Sequence, residues 1–125
     1  TVSIHQNSYT SPQIKGAQVF YYTTSKESQK LAETIQKTLI EQVDPQNHRE
    51  AKANDSYYLL KKTSSTIVIV ECGFLSNPTE AELLSDEQYQ QKMADAVCVG
   101  IFRYLGKDTE TSDPDEENKT DNAVS

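Results

Sequence analysis

The apolar residues of this chain form three short runs that predict strands and two longer periodic runs that predict helices. The strand candidates are residues 1–5, 17–22 and 66–70. Within the third, Ile67-Val68-Ile69-Val70 is β-branched throughout and apolar on both faces, which is typical of a strand covered on both sides in a parallel sheet. The pattern therefore predicts an α/β protein with a mostly parallel sheet and helices on both faces.

The first helix is predicted to follow the second strand. Thr24 provides a cap, Glu27 completes a capping box three residues later, and Asp44-Pro45 ends the helix. Its apolar residues recur at steps of four, at Leu31, Ile35, Leu39 and Val43. This spacing predicts one buried stripe facing the sheet.

The last helix is predicted between a capping box of Ser85 with Gln88 and a left-handed stop at Gly106. Its apolar stripe comprises Tyr89, Met93, Val97, Ile101 and Tyr104. A short helical turn is predicted just before it, with Asn77 as the cap and Pro78 at the first helical position. Residues 44–65 lack periodicity and are predicted to form a long loop, with room for one irregular turn at 57–60, that could wall a binding cleft.

Charge divides the chain into a near-neutral body and an acidic tail. Seven acidic residues and two lysines lie in 107–125, so this segment carries −5 of the net charge of −7. The tail lacks aromatic residues and is predicted to be disordered, whereas residues 1–106 form one domain. The acidic balance argues against nucleic-acid binding, and no apolar run approaches the roughly 18 residues of a membrane helix.

The first five residues already alternate like a strand, with no starting methionine and no cap or turn before them. We therefore expect the chain to be a piece of a longer protein, truncated at its N-terminus.

Two residues with reactive side chains lie at the ends of predicted strands: His5 closes the first, and Glu71 closes the third. Ligands collect at the carboxyl ends of parallel strands, so both side chains are expected at one edge of the sheet. A carboxylate after four apolar residues is costly to bury without a partner, which makes Glu71 the sharper candidate. A structural role remains open for each at this stage.

Cys72 offers a different mechanism, in which His5 activates a thiolate and no metal is needed. Strand alternation, however, turns Cys72 away from the face that Glu71 uses. Cys98 falls near the apolar stripe of the last helix and is predicted to be a small core residue.

Four segments together resemble the zinc-dependent N-acetylmuramoyl-L-alanine amidases of bacterial cell walls. They are "SIHQN" at 3–7, "GAQVFYY" at 16–22, "SQKLAETIQKTL" at 28–39 and "VECGFLSNPTEAELL" at 70–84. The resemblance runs from residue 1 to about Leu105. The overall sequence of the chain is most similar to the sporulation and germination branch of the family.

The resemblance implies a function and a site. Such enzymes cleave peptidoglycan between the lactyl group of N-acetylmuramic acid and L-alanine, and the branch in question modifies spore cortex on the route to muramic δ-lactam. They hold one Zn²⁺ by two histidines and a glutamate. His5 matches the last of these ligands, Glu71 matches the catalytic carboxylate, and the other two ligands are expected upstream of Thr1.

Further expectations follow from the resemblance. The isolated chain should be inactive, and the whole protein should act outside the cytoplasm, in the cell wall or spore envelope, with a signal or anchor upstream. Asn7 either orients His5 or shapes a turn, and Arg49 and Lys52 either meet substrate carboxylates or are solvated. The alternative function is a non-enzymatic wall-binding or regulatory module that kept the fold without a complete metal site.

Overall fold

A four-stranded sheet organises residues 1–55 and 66–109, which are the residues described by the computed structural model. The strands are β1 (Val2–Asn7), β2 (Gln18–Tyr21), β3 (Lys52–Ala53) and β4 (Val68–Phe74), in the order β1-β4-β2-β3. The β1–β4 and β2–β3 pairs are parallel, and the β2–β4 pair is antiparallel. The sheet is therefore mixed but mostly parallel, and the predicted α/β class is confirmed.

Three helices accompany the sheet: α1 (Lys26–Gln42), α2 (Pro78–Leu84) and α3 (Glu87–Thr109). Both long helices pack on one sheet face, the one that carries Val68 and Val70, whereas the prediction placed helices on both faces. The main core on this face combines Val19, Tyr21, Val68 and Val70 with Leu31, Ile35 and Leu39 of α1 and Met93, Ala96 and Val97 of α3. Phe20, Ile67 and Ile69 form a smaller cluster apart from it. Both predicted helical stripes thus enter the core.

The strands run further than their apolar residues suggested. β4 does not stop at Val70 but continues through Glu71 to Phe74, and β1 continues past His5 to Asn7. Both candidate residues therefore lie inside strands rather than at strand ends. The reason is that strand pairing uses backbone N–H and C=O groups, which Glu71 supplies as well as valine does.

The cap of α1 lies one residue later than predicted. Ser25, rather than Thr24, has an extended backbone and accepts a hydrogen bond from the Ser28 N–H through its hydroxyl, at 3.2 Å. Either residue type can cap, so the sequence alone did not decide between neighbours.

The junction between α2 and α3 also differs from the prediction at one residue. Asn77 caps α2 as predicted, accepting from the Glu80 N–H at 3.0 Å. Ser85, however, ends α2, and the carboxylate of Asp86 accepts from the Tyr89 N–H at 2.9 Å. Asp86 therefore takes the capping role predicted for Ser85.

Two predictions about α3 are wrong. The helix runs through Gly106 to Thr109, because a single helical glycine costs only about 1 kcal/mol and no proline follows at once. Cys98 is exposed rather than buried, because it lies one residue past the buried Val97 and is turned about 100° away from it. The helix thus includes the first three residues of the predicted tail, and 110–125 lie outside the described residues.

The predicted loop at 44–65 contains a short strand that its composition did not reveal. β3 consists of Lys52 and Ala53 and pairs with Phe20 and Tyr21 at the sheet edge. The predicted turn at 57–60 lies outside the described residues. Among the described helices, none has the length and apolar character needed to cross a membrane.

Candidate functional site

His5 and Glu71 are direct neighbours across the β1–β4 pair. The parallel register sets His5 against Glu71, after Ser3 against Ile69. Residues matched in this way on adjacent strands project from the same sheet face. The imidazole is exposed, whereas the Glu71 residue is only 5% exposed. The structure therefore brings the two candidates together, with the carboxylate buried beside a solvent-facing histidine.

The imidazole of His5 is held from its own strand. Its Nε2 atom lies 2.7 Å from the hydroxyl of Ser3, two residues earlier and therefore on the same face. A histidine ring oriented through one nitrogen presents the other in a defined direction. This contact gives His5 a fixed orientation at the open edge of the sheet.

Glu71 lies in a row of three polar residues that crosses the sheet. On its other side the antiparallel register sets it opposite Gln18 of β2. The Gln18 amide group donates to the Glu50 carbonyl at 2.8 Å and accepts from the Arg49 guanidinium at 3.0 Å. The row His5, Glu71 and Gln18 therefore joins the sheet edge to the loop before β3.

Arg49 is anchored by several contacts within that loop region. Its Nε donates to the Lys15 carbonyl at 2.8 Å, and its guanidinium carbon lies 5.1 Å from the centre of the Phe74 ring. With the bond to Gln18, these contacts tie the loop to the sheet. Its proposed contact with substrate stays a prediction, as does that of Lys52, which is exposed on β3.

Asn7 shapes the exit of β1. Its side-chain oxygen accepts from the Ser8 N–H at 2.8 Å, and its carbonyl accepts from the Leu75 N–H at 2.8 Å. The β1–β4 register also shifts between His5 and Asn7. These contacts favour the turn-shaping alternative, because the hydrogen bond recorded for His5 goes to Ser3.

Cys72 faces away from Glu71, as alternation predicted. It packs against the main core and lines a pocket of about 310 Å³ together with Ile4, Leu84 and Met93. Burial, reinforced by the charge of Glu71, raises the pKa of the Cys72 thiol to about 11. A thiol with this pKa is almost entirely protonated near neutral pH, so the geometry and the pKa both oppose a thiolate mechanism.

We predict that iodoacetamide leaves Cys72 unmodified at pH 8 in the folded protein. The thiolate is the reactive form, and its fraction rises only as the pH approaches about 11. Mass spectrometry of a Cys98→Ser variant, which removes the exposed second thiol, isolates the labelling of Cys72. The chain without the Cys98→Ser substitution should take up one label, at Cys98. Rapid labelling of Cys72 at pH 8 would contradict the argument from its raised pKa.

Comparison with known proteins places the chain in a family. The sequence pattern of N-acetylmuramoyl-L-alanine amidases matches residues 1–103. The chain belongs to this family. It is 40% identical over 115 residues to the germination-specific N-acetylmuramoyl-L-alanine amidase of Bacillus subtilis, covering 92% of this chain and 47% of that protein.

Two further amidases illustrate the likeness. The CwlD amidase from Clostridioides difficile, solved in complex with the GerS lipoprotein, superposes with a TM-score of 0.83 at 45% identity and covers 85% of this chain and 54% of its own. The probable cell wall amidase LytH of Staphylococcus epidermidis is 27% identical over 104 residues, covering 83% of this chain and 34% of that protein. The chain thus spans about half or less of the length of these relatives.

The described residues of the chain do not by themselves form a metal site. No group of three His, Cys, Asp or Glu side chains in residues 1–55 and 66–109 is arranged to hold a metal ion. The imidazole of His5 is nonetheless a donor that zinc prefers, and it is exposed beside a carboxylate. His5 therefore fits one position of a zinc site without completing it.

The sequence reasoning missed one buried polar residue of the amidase chain, Glu80. Glu80 is 8% exposed, and its carboxylate accepts hydrogen bonds from two separate backbone N–H groups. Its position three residues after the cap Asn77 matches a capping box. That spacing could have marked Glu80 as a hydrogen-bonding residue, but not its partners.

Proposed function

We propose that the protein containing this chain is a peptidoglycan amidase that cleaves the bond between the lactyl group of N-acetylmuramic acid and L-alanine. The observation that carries the proposal is the register of β1 against β4, which sets His5 beside Glu71 on one sheet face. Family membership over residues 1–103 supports the reaction class. A histidine next to a buried carboxylate supplies one zinc donor and one candidate base, two of the parts of a hydrolytic zinc site.

We assign His5 to the metal and Glu71 to proton transfer. His5 would hold zinc together with two ligands from outside the described residues, since the described part contains no complete set. Bound there, zinc would lower the pKa of a water molecule from about 15.7 toward roughly 7 and polarise the amide carbonyl under attack.

Glu71 would act as the general base and then as the general acid. Its carboxylate would accept a proton from the attacking water and deliver it to the departing amine nitrogen of L-alanine. The amine must be protonated because an amide anion is a very poor leaving group. Burial at 5% exposure suits this role, since it limits exchange of the shuttled proton with bulk water.

The relatives support a setting for this reaction. Similarity to a germination-specific amidase and to a cell wall amidase favours action outside the cytoplasm, on spore-cortex peptidoglycan on the route to muramic δ-lactam. The signal or anchor that this location needs would lie upstream of the chain. Because the related CwlD was solved with the GerS lipoprotein, a lipoprotein partner is also part of the proposal. Asn7 and Arg49 are assigned as the residues that shape the site and meet the substrate.

One observation keeps a second function open. The described residues contain no group of three possible metal ligands. This would also be expected of a wall-binding or regulatory module that kept the fold without the metal. The two functions differ in whether the whole protein binds zinc and releases stem peptides.

We therefore predict that the full-length protein releases stem peptides from peptidoglycan, loses this activity to a chelator and regains it with added zinc. The isolated 125 residues, with one histidine of the expected ligand set, should be inactive and hold well under one zinc per chain. Peptide release is measured by chromatography and zinc by elemental analysis. A full-length protein without zinc or activity would support the binding module instead.

A further inference from the structure

The carboxylate of Glu80 joins two segments of backbone that lie far apart in sequence. Its Oε1 atom accepts from the Phe74 N–H at 2.8 Å, and its Oε2 atom accepts from the Gly16 N–H at 2.8 Å. The residue is 8% exposed, so both bonds are shielded from water. Charge-assisted bonds of this kind are about twice as strong as neutral ones.

The two bonds of Glu80 lie next to the point where the pairing of β4 with β2 ends, at Glu71. The β2–β4 register ends with Gln18 opposite Glu71, so the following residues of β4 have no partner in β2. On the β1 side the register shifts between His5 and Asn7. The β1 pairing resumes after this shift, with Asn7 opposite Phe74, so the backbone after Glu71 is paired on its β1 side alone. Glu80 supplies the connection that is absent on the β2 side, because it links Phe74 to Gly16 just before β2.

The surrounding residues are shaped around this carboxylate. A Cβ atom on Gly73 would lie 3.1 Å from Glu80 Oε1, and Gly16 has a φ of +107°, which favours glycine. Asn77 accepts from the Glu80 N–H at 3.0 Å and donates to the Pro12 carbonyl at 2.9 Å. The Asn77 N–H donates to the Phe74 carbonyl at 3.0 Å, so the carboxylate is not needed for the usual capping box.

We propose that Glu80 is a positioning residue for Glu71. The inference rests on the proposed function, in which Glu71 moves the proton. Glu80 fixes the end of β4 three residues beyond Glu71, and without that link the Glu71 carboxylate is displaced from the position that the reaction needs. A misplacement of about 1 Å can lower the rate of an enzyme by about 100-fold.

The test uses Glu80→Gln in the full-length enzyme. A glutamine oxygen can accept one of the two N–H bonds, but its amide nitrogen is a donor and meets the other N–H unfavourably. We expect kcat on a defined muropeptide to fall about 10-fold or more, within the range that misplacement can cause, while KM and zinc content stay near wild type.

Ser28→Ala is the matched control. The Ser28 hydroxyl is fully buried and accepts from the Ile67 N–H at 3.0 Å, just before the other end of β4. This variant should lower the melting temperature without changing kcat or KM. Gly73→Ala provides a second variant, since its added methyl group would press on the Glu80 carboxylate and strain the backbone at a φ of +159°. It should therefore move the end of β4 and lower kcat with Glu80 intact.

The outcomes separate this inference from the proposed function. Loss of kcat in Glu80→Gln and Gly73→Ala, but not in Ser28→Ala, supports the positioning role. Where Glu71→Gln is inactive, two results overturn the positioning role. One is an unchanged kcat in Glu80→Gln, and the other is a loss of kcat in Ser28→Ala equal to that in Glu80→Gln. A fully active Glu71→Gln enzyme overturns the proposed function and the inference with it.

Discussion

Replacing Glu71 by glutamine should lower turnover of the full-length enzyme by about 100-fold or more, the scale of general acid–base catalysis. Glutamine keeps the shape of the side chain and most of its hydrogen bonding but cannot accept the water proton. Zinc content should stay near wild type. The melting temperature should be equal to or above that of wild type, because the variant no longer buries a charge at a position that is 5% exposed.

Glu82→Gln is the matched control for this change. Glu82 lies exposed on α2, so the same substitution there should leave turnover, zinc content and stability unaltered. Steady-state kinetics, elemental analysis and thermal melts would be measured on both variants. Loss of zinc from Glu71→Gln would make Glu71 a ligand rather than the base, and full activity would make it a structural residue.

Replacing His5 by alanine should lower zinc content and turnover together. Loss of an outer-shell partner already costs about 10–100-fold in metal affinity or activity, and loss of a direct ligand should cost at least as much. His5 is exposed and its recorded hydrogen bond goes to Ser3, so the apoprotein should lose little stability of its own. Zinc titration and peptide release would measure the two effects.

His48→Ala is the control that the chain itself offers, because His48 is its other histidine. His48 is exposed in the loop before β3 and takes no part in the strand pairing that sets His5 beside Glu71. This variant should retain both zinc and turnover. Stoichiometric zinc in His5→Ala would show that His5 is not a zinc ligand. The proposed mechanism would then lack the zinc-bound histidine that it places next to Glu71.

Three predictions made from local sequence pattern agree with the structure. The steps of four at Leu31, Ile35 and Leu39 bury one stripe of α1, because a helix repeats every 3.6 residues whatever lies around it. Asn77 caps α2, and alternation turns Cys72 away from Glu71. Each of these features depends only on residues that are close together in the sequence.

Local pattern failed where neighbouring residues offered equal signals. Thr24 and Ser25 can both cap a helix, as can Ser85 and Asp86, and the structure uses the second of each pair. Gly106 carried a stop signal that α3 passes through. The exposed Cys98 shows the same limit, because a shift of one residue turns a helical side chain by about 100°.

The sequence by itself determined the α/β class, the helical stripes and the candidate pair His5 and Glu71, because these depend on periodicity and residue chemistry. Only the tertiary structure decided that β4 continues through Glu71 and that His5 lies opposite it. It also decided that the Glu80 carboxylate reaches both Phe74 and Gly16. The pairing of His5 with Glu71 and the bond from Gly16 to Glu80 each join residues more than 60 positions apart in the chain, and the register that brings them together comes from the packing of the whole sheet.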